Sequence, residues 1–424
     1  MFYLNDFKTS KCNKIFTVSD TNDFNVILSN KAVKKIQSKY SIVVAAKPLI
    51  RFASLFGSQL VRYEKDEIVP LNFLNKLFSV FVIVINIIMS TVVRPLSWRY
   101  TTSDVPLNIL TKTYGITNIA ETAYSIFSVG LLNTKYYVEL FNKLNEFDKD
   151  FGASRTLFVR RRLISILMII VPIVQVFGTV WLTKFSMGNI GALITFFLIM
   201  LQGSVLYFLV LNIYVKHLLL NILLVKKSII TLSKQKKIII QDSICDIIIK
   251  SICMGSKVIK NEKRFCWFEL MQIYDKLGDC IHIFNKIYCG QVFIMYNSWL
   301  LCTMLIICRS LSPSLKYSER FLSDLFVYSC INSRPIFLAI MCEMFMRERK
   351  KTLSLLLHVL VSPGKDVAYV SQVRTMIMLV ASRKLEISAN VFTVNVPTVM
   401  NFAGRIISYT VLMIQYFYSR VFMQ

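Results

Sequence analysis

The sequence from Ile190 to Val215 reads IGALITFFLIMLQGSVLYFLVLNIYV and contains no charged residue. As an α-helix that rises 1.5 Å per residue, this stretch is longer than the hydrocarbon core of a bilayer is thick, which is about 30 Å. The chain of 424 residues has the same character throughout: 55% of it is hydrophobic, 17% is charged, and the mean hydropathy is +0.55. These values predict an all-α, polytopic membrane protein, because helices satisfy their own backbone hydrogen bonds in lipid.

Seven segments have, or nearly have, the roughly 20 mostly apolar residues that a membrane-spanning helix needs. They are Asn72 to Val93, Leu110 to Leu132, Leu163 to Leu182, Ile190 to Val215, Val292 to Ile307 with its flanks, Leu325 to Met346, and Val399 to Met423. Polar residues such as Asn118 and Glu121 interrupt the second segment. We therefore expect neighbouring helices to shield this segment from lipid.

The orientation of these helices follows from the lysines and arginines, which number 50 and give a net charge of +26. Most of them lie before the first segment or in the loops after the second, fourth and sixth segments. Positive charge is retained on the cytosolic side of a membrane. The amino terminus is therefore predicted to be cytosolic and, with an odd number of spans, the carboxy terminus extracellular. A G-protein-coupled receptor has the reverse orientation.

The loops on the predicted cytosolic side have helical character. From Leu218 to Ile287 apolar residues recur at helical spacing among lysines, for example at Met271, Tyr274 and Leu277. Helices four to six are therefore predicted to extend into a cytosolic anchor layer, against which the Val370 to Ala389 segment packs.

The sequence lacks the features of enzymes and metal proteins. It contains no GxxxxGK[ST], HExxH or GxSxG motif, its three histidines are far apart, and its ten cysteines form no CxxC pair. Residues 1–40 are polar and lysine-rich, so we expect no secretory signal peptide there. We expect no catalytic residues, no metal, no cofactor and no nucleic-acid partner, and the first long apolar helix is expected to direct membrane insertion.

The last segment contains Ser408-Tyr409-Thr410-Val411-Leu412-Met413-Ile414-Gln415-Tyr416. This resembles the signature of insect gustatory receptors, a Thr-Tyr pair, five hydrophobic residues and Gln-Phe, with Ser in place of Thr and Tyr in place of Phe. Three further segments resemble the family in chain order. They are Lys47 to Gly57, which looks like its amino-terminal re-entrant segment, Phe284 to Gln291, which looks like the start of its fifth span, and Val391 to Asn395, which looks like the short turn before its last helix.

The resemblance implies a ligand-gated, non-selective cation channel of seven helices that assembles as a tetramer around its last helices. It divides the chain into a cytosolic segment with a re-entrant or amphipathic helix (1–71), a six-helix ligand-binding bundle with cytosolic extensions at about 216–287 (72–346), a cytosolic anchor (347–398) and a pore-lining helix (399–424). The implied partners are a small-molecule tastant, permeant cations, the lipid bilayer and, in a homo- or hetero-tetramer, other gustatory receptors.

The resemblance also implies a location and a ligand class. The location is the plasma membrane of a gustatory neuron dendrite. Receptors of the sugar branch usually carry Glu after the Thr-Tyr pair, whereas this chain has Thr410. Bitter plant compounds are therefore the expected ligands, as for bitter receptors of moths and butterflies.

Gln415 is the candidate pore residue. Its amide is costly in lipid, so it must contact either another helix or water. Both roles fit the sequence, and the resemblance favours the pore. Leu412, one turn earlier, would close the pore by dewetting, and Tyr416 would narrow it. Tyr409 is expected to pack between helices, and Arg405, near the start of the helix, to pair with an acid.

Candidate ligand contacts are the polar and aromatic side chains inside spans two to six, because a ligand pocket combines apolar walls with a few hydrogen-bonding groups. They are Glu121, Tyr124, Gln175, Trp181, Gln202, Trp299 and Tyr328. Helix packing is the competing role for each of them.

Two other functions remain open. An insect odorant receptor subunit shares the topology and a similar last helix, and it normally needs a common co-receptor. A secondary transporter is the second, because Pro172 and Pro335 interrupt membrane helices. Both prolines also fit simple helix kinks.

Overall fold

The computed structural model describes residues 41–57, 61–64, 67–70, 73–93, 105–151, 155–182, 190–233, 266–311, 321–361, 367–383 and 385–422. The polar segment 1–40 and the middle of the long loop, residues 234–265, lie outside the described residues. What was expected of those two segments is therefore not compared with the structure.

The described chain is almost wholly helical. Its first helix, α1, spans Ile42–Leu55, and an antiparallel hairpin of β1 (Val61–Glu64) and β2 (Glu67–Pro70) follows it. The remaining helices are α2 (Phe73–Ile88), α3 (Val105–Phe127), α4 (Thr134–Phe151), α5 (Arg155–Leu182), α6 (Ile190–Ser233), α7 (Trp267–Leu311), α8 (Phe321–Val361), α9 (Val367–Ser382) and α10 (Val396–Phe422). Single π-helical turns, Met89–Val93 and Ser128–Leu132, continue α2 and α3.

The predicted fold class, an all-α polytopic membrane protein, is confirmed. The seven predicted spans coincide with α2, α3, α5, α6, α7, α8 and α10. Within the described ranges, α5 to α8 are long and apolar enough to span a membrane by length and composition alone. The two-stranded hairpin before α2 was not predicted.

Three helices are much longer than a bilayer is thick. α6, α7 and α8 contain 44, 45 and 41 residues, which corresponds to roughly 60 to 68 Å at the usual helical rise. The predicted extension of helices four to six is therefore confirmed. The extended ends pack with α4 and α9 into one layer, which lies on the side predicted to be cytosolic.

Ion pairs at the surface connect the helices of this layer. Lys143 on α4 pairs with Asp279 on α7 at 2.9 Å, and Lys276 on α7 pairs with Asp150 on α4 at 3.0 Å. Beyond α9, Arg383 lies 2.6 Å from Asp275 of α7. These side chains are partly exposed, so each pair stabilises the layer only slightly.

Helix α1 is buried rather than exposed at the surface. Ser41 caps it by accepting a hydrogen bond from the Val43 amide at 3.1 Å, and its apolar side chains pack on α4, α5 and α6. The chain leaves the helix at Gly57, whose positive φ of 66° suits glycine. The Ser79 hydroxyl of α2 donates to the Gly57 carbonyl oxygen at 2.8 Å, which fixes this turn against the first span.

A buried cluster around Asp148 connects four helices. The Asp148 carboxylate of α4 accepts hydrogen bonds from Arg161 Nη1 of α5 at 2.8 and 2.9 Å and from the Ile42 amide of α1 at 3.0 Å, and Lys216 of α6 also donates to it. Burial alone would raise the pKa of Asp148, but the charges and hydrogen bonds of Lys216 and Arg161 lower it below its ordinary value of 3.8. The cluster is therefore most stable while Asp148 is ionised, because only the carboxylate offsets the charge of the two cations.

We expect Asp148→Asn to destabilise the protein strongly. The substitution removes the only carboxylate in this cluster and leaves Arg161 and Lys216 buried, which typically costs about 3–5 kcal/mol. The measurement is the midpoint of thermal unfolding of the detergent-solubilised full chain. The matched control is Asp150→Asn on the same helix, which breaks a partly exposed pair and should change the midpoint little. Equal shifts for the two variants would contradict the prediction.

Acidification should weaken the same cluster. A carboxyl group whose pKa is lower in the folded chain contributes stability above its ordinary pKa and loses that contribution as pH falls through the folded value. The unfolding midpoint of the unmodified protein should therefore decline as pH is lowered from about 5 through 3.8 and below. Asp148→Asn should show a shallower decline, whereas Asp150→Asn should keep the original slope. Identical slopes for all three proteins would rule out this role of Asp148.

Candidate functional site

A cavity of about 220 Å³ lies between four helices of the membrane bundle. Its walls are formed by Tyr114 and Asn118 of α3, Thr179 of α5, Ala192, Leu193, Thr195, Phe196 and Ile199 of α6, and Val327 and Ile331 of α8. These parts of α5, α6 and α8 lie near the ends that the predicted topology places outside the cell. Its walls are mostly apolar, and its volume is below the roughly 300–1,000 Å³ of common ligand pockets, so it has room only for a small molecule.

Hydrogen bonds among its polar residues fix part of the cavity wall. Thr195 donates to Asn86 Oδ1 of α2 at 3.0 Å and shares a 2.9 Å hydrogen bond with Ser90. Asn118 accepts a hydrogen bond from Ser298 of α7 at 2.8 Å. α6 approaches α2 closely at Gly191, where a Cβ atom would lie 2.3 Å from the Met89 carbonyl oxygen. The wall near α2 is therefore closely packed.

Three buried polar side chains lie one helical turn below the cavity, toward the predicted cytosolic side. Glu121, Gln202 and Arg334 each follow a cavity residue by three positions, namely Asn118 on α3, Ile199 on α6 and Ile331 on α8. We call these three side chains the polar floor. Arg334 Nη1 donates to Glu121 Oε1 at 2.5 Å, and both side chains are almost completely buried.

Several atoms of the polar floor lack a hydrogen-bond partner among the described residues. They are Glu121 Oε2, Arg334 Nε and Nη2, and both amide atoms of Gln202. The hydroxyl of Tyr207, one turn further along α6 from Gly203, is also buried without a partner. Buried polar atoms in proteins are nearly always hydrogen-bonded. Unpaired buried atoms also occur elsewhere in the described chain, for example on Arg161 and His217.

None of the seven predicted ligand contacts lines the cavity itself. Glu121 and Gln202 belong to the polar floor, and Gln175 lies one turn before the cavity residue Thr179, whose hydroxyl donates to the Gln175 carbonyl oxygen. Tyr328 follows the cavity residue Val327 on α8 and packs in a small apolar cluster. The remaining three, Tyr124, Trp181 and Trp299, lie further away.

Packing explains where those three residues lie. Trp181 is 86% exposed on the outer face of α5, beside the exposed Phe177, where lipid would surround it. Trp299 is buried in an aromatic cluster with Tyr296 and Phe402, at ring distances of 6.0 and 6.1 Å. Tyr124 is wedged against Gly290 of α7, as described below. Their positions favour the competing role, which is helix packing or contact with lipid.

Arg334 is the member of the polar floor that was not predicted. A charged residue inside an apolar span is itself an indication of a functional site or an ion pair, and Arg334 directly precedes Pro335 in the sixth span. The other members of the cavity wall are ordinary apolar or small residues, and only the folded chain brings them together. Among the described residues, no group of three or more His, Cys, Asp or Glu side chains is arranged to hold a metal ion.

The last helix packs on the bundle with one face only. Phe402 and Ile406 of α10 are buried against α7 and α8. Leu412, Gln415 and Tyr416, the predicted pore residues, are all exposed in the single chain, Leu412 by 59%. The face that carries them therefore has no cover within the described chain.

One expectation for this helix differs from the structure, and another stays a prediction. Tyr409 is 47% exposed in the single chain, and its packing between helices stays a prediction. Arg405 lies over the ring of Phe402 at 5.7 Å, a cation–π contact, where an acidic partner was expected.

The short turn predicted before the last helix is present. The chain reverses around Asn390, which has a positive φ of 63°, and the Ala389 amide donates to the Phe392 carbonyl oxygen at 2.9 Å. Asn395 then caps α10 by accepting a hydrogen bond from the Thr398 amide at 2.8 Å. The Asn285 side chain of α7 binds the backbone of Glu386 and thereby holds the turn on the bundle.

Comparisons with known proteins agree with this architecture. The sequence profile of the family described as "7tm Chemosensory receptor" matches residues 46–419. The fold is similar to that of the insect olfactory receptor OR5 from Machilis hrabei in complex with eugenol, with a TM-score of 0.58 and 14% identity over 92% of this chain and 100% of that chain. A second structure of the same receptor has a TM-score of 0.58 and 11% identity over 88% of this chain and 99% of that chain. No curated protein sequence matches the chain.

Replacing Gly290 should test the packing of Tyr124. A Cβ atom at Gly290 would lie 2.1 Å from the Tyr124 hydroxyl oxygen, so Gly290→Ala should displace the ring and destabilise the protein by about 1–3 kcal/mol. Combining it with Tyr124→Leu should restore part of this loss, because the clash is then gone. The measurement is the midpoint of thermal unfolding of four proteins: the unmodified chain, Gly290→Ala, Tyr124→Leu and the double variant.

Gly278→Ala on the same helix is the control for this cycle, because its Cβ would meet its nearest neighbour at an ordinary 3.5 Å. Additive effects of the Gly290 and Tyr124 substitutions would show that the two residues do not interact.

Proposed function

Since the chain belongs to the 7tm chemosensory receptor family, we propose that it is a gustatory receptor, a ligand-gated non-selective cation channel that opens in response to small extracellular tastants. Its last helix carries the gustatory signature, with Ser408 and Tyr416 as mild departures. The expected ligands are bitter plant compounds, on the argument that Thr410 stands where sugar receptors usually carry Glu. Its place of action would be the plasma membrane of a gustatory neuron dendrite.

The exposed amide of Gln415 is the observation that carries this proposal. On a single chain in a bilayer, the uncovered face of α10 would place this amide in lipid, which is unfavourable. In an arrangement of four copies of α10 around a common axis, the Gln415 amides would no longer face lipid, because they would line a water-filled path. Rings of Leu412 and Gln415 in such a path would combine a hydrophobic gate with polar groups that contact passing cations.

Ligand binding and the last helix are connected through α8. This helix lines the cavity with Val327 and Ile331 and also packs against α10. The channel would exist in a closed and an open state that differ in the arrangement of α8 and α10. A ligand that binds the cavity of the open state more tightly than that of the closed state would shift the equilibrium toward the open state, by the difference between its binding free energies for the two. Neither a covalent step nor a cofactor enters this mechanism. Assembly as a homo- or hetero-tetramer with other gustatory receptors belongs to the same proposal.

An odorant receptor subunit is the second candidate, because the solved structures with this fold are those of an insect olfactory receptor. The two candidates differ in their dependence on a partner. A gustatory receptor should give ligand-evoked current alone or with other gustatory subunits, whereas an odorant subunit should give none without its co-receptor.

We expect Gln415→Ala to change the evoked cation current. Whole-cell recording from cells that express the chain, during perfusion of plant alkaloids, glycosides and sugars, should show a current whose ion permeability or gating differs in the variant by at least severalfold, because a ring of amides is lost from the pore. Thr410→Val is the control on the same helix, since this partly buried side chain donates to the Ile406 carbonyl oxygen of its own helix.

Equal currents from the unmodified chain, Gln415→Ala and Thr410→Val would argue against a pore at Gln415. If the chain at the cell surface gives current only together with an odorant co-receptor, the second candidate function replaces the first.

A further inference from the structure

The buried cluster around Asp148 contains more positive than negative charge. Its carboxylate binds two cations, Arg161 at 2.8 Å and Lys216, and all three side chains are more than nine-tenths buried. No other acidic side chain of the described chain forms an ion pair with either cation. The amino-terminal end of α1 adds partial positive charge, because its Ile42 amide donates to the same carboxylate. Two cations against one carboxylate leave an excess of one positive charge among the described residues.

The guanidinium of Arg161 contacts Asp148 through one nitrogen atom only. Its Nη1 atom donates to both carboxylate oxygens, at 2.9 and 2.8 Å. Its Nε and Nη2 atoms are buried and have no hydrogen-bond partner among the described residues. These two atoms share one edge of the guanidinium, and that edge matches the paired hydrogen bonds that arginine makes with anions. The edge therefore offers two parallel donors to an acceptor.

A third donor lies one helical turn further along α5. Ser165 is completely buried, and within the part of the chain that the structure describes its hydroxyl has no hydrogen-bond partner. Residues four positions apart lie on the same helix face, and their Cβ atoms point toward the helix N-terminus. The Ser165 side chain is therefore directed back toward Arg161. Donors on one helix face beside excess positive charge suit an anion better than a cation or a neutral molecule.

Another buried ion pair shows that the charge count decides the argument. Glu121 and Arg334 balance each other at 2.5 Å, although the Nε and Nη2 atoms of Arg334 also lack a partner among the described residues. An anion beside that neutral pair would introduce a new buried charge, which is strongly unfavourable. Beside Asp148, a monovalent anion would instead remove an existing excess of charge.

We propose that Arg161 and Ser165 bind one small monovalent anion, such as chloride, next to the Asp148 cluster. Arg161 Nε and Nη2 and the Ser165 hydroxyl donate to the anion, and its charge balances the second cation. The site lies in the layer on the predicted cytosolic side, so a cytosolic anion stabilises the contact between α4, α5 and α6. This inference does not depend on the receptor function proposed above.

The midpoint of thermal unfolding of the detergent-solubilised full chain tests the proposal. Sodium chloride is raised from about 1 to about 300 mM and exchanged for sodium gluconate at constant ionic strength, so that the screening of surface charges stays the same. The pH is about 6, because burial favours loss of the proton from a lysine. The midpoint should rise by about 2–5 °C, since an anion that binds only the folded chain stabilises it by mass action.

Three variants separate the charge from the donors. Lys216→Met leaves Asp148 and Arg161 as a balanced pair and should abolish the chloride response. Arg161→Lys keeps the charge but removes the paired donors, so about tenfold more chloride should be needed for the same rise. Lys276→Met is the matched control, because it changes the net charge equally but breaks a partly exposed pair with Asp150. It should keep the full response.

A midpoint that chloride does not raise relative to gluconate overturns the inference, because the excess charge is then removed in another way, for example by loss of the Lys216 proton. A response that persists in Lys216→Met, or that Lys276→Met loses to the same extent, overturns it as well. If Lys216→Met does not fold, Arg161→Lys decides, since an unchanged chloride response in that variant contradicts the site.

Discussion

The carboxylate of Asp148 is the contact on which the inner half of the structure depends. It accepts hydrogen bonds from two buried cations, on α5 and α6, and from a backbone amide at the start of α1, so that four helices meet at this one side chain of α4. In a medium of low dielectric constant, α4, α5 and α6 cannot separate here without leaving a charge unpaired. The layer built on this contact, with its long continuations of α6, α7 and α8, therefore provides a rigid base for the membrane bundle.

The outer half of the bundle is built differently. Its helices surround a cavity, and its last helix is covered on one side only. α8 contacts both the cavity and α10, and Pro335 interrupts its backbone hydrogen bonding by removing the donor to the Ile331 carbonyl oxygen. The Tyr296 hydroxyl donates to the Pro335 carbonyl oxygen at 3.3 Å. A helix with such a break, set on a rigid base, can change its path with little loss of packing.

Patterns along the chain predicted the parts of this structure that depend on neighbours in sequence. The seven spans, the extension of α6 to α8 and the turn before α10 all follow from runs of apolar residues, helical spacing or a local motif. The candidate site depends on contacts between distant parts of the chain. Glu121 and Arg334 are 213 positions apart, and no periodicity shows that they meet. In the sequence, the apolar residues of the cavity wall cannot be told from ordinary helix residues. Trp181 looks like an aromatic residue that could line a pocket, and only the structure shows that it lies on the exposed face of α5. Lys216, at the predicted end of a span, is completely buried because Asp148 lies opposite it.

The one-sided packing of α10 has a consequence for biosynthesis. A newly inserted chain carries the Gln415 amide on a face that nothing else in its described part covers, and this face should attract membrane chaperones or polar segments of other proteins until it is buried. For the assembly proposed above, passage through the secretory pathway would report on whether this face is buried, and chains with an uncovered face would be retained. The combinations that leave the pathway would depend on which co-expressed chains present a matching amide at the same depth in the membrane.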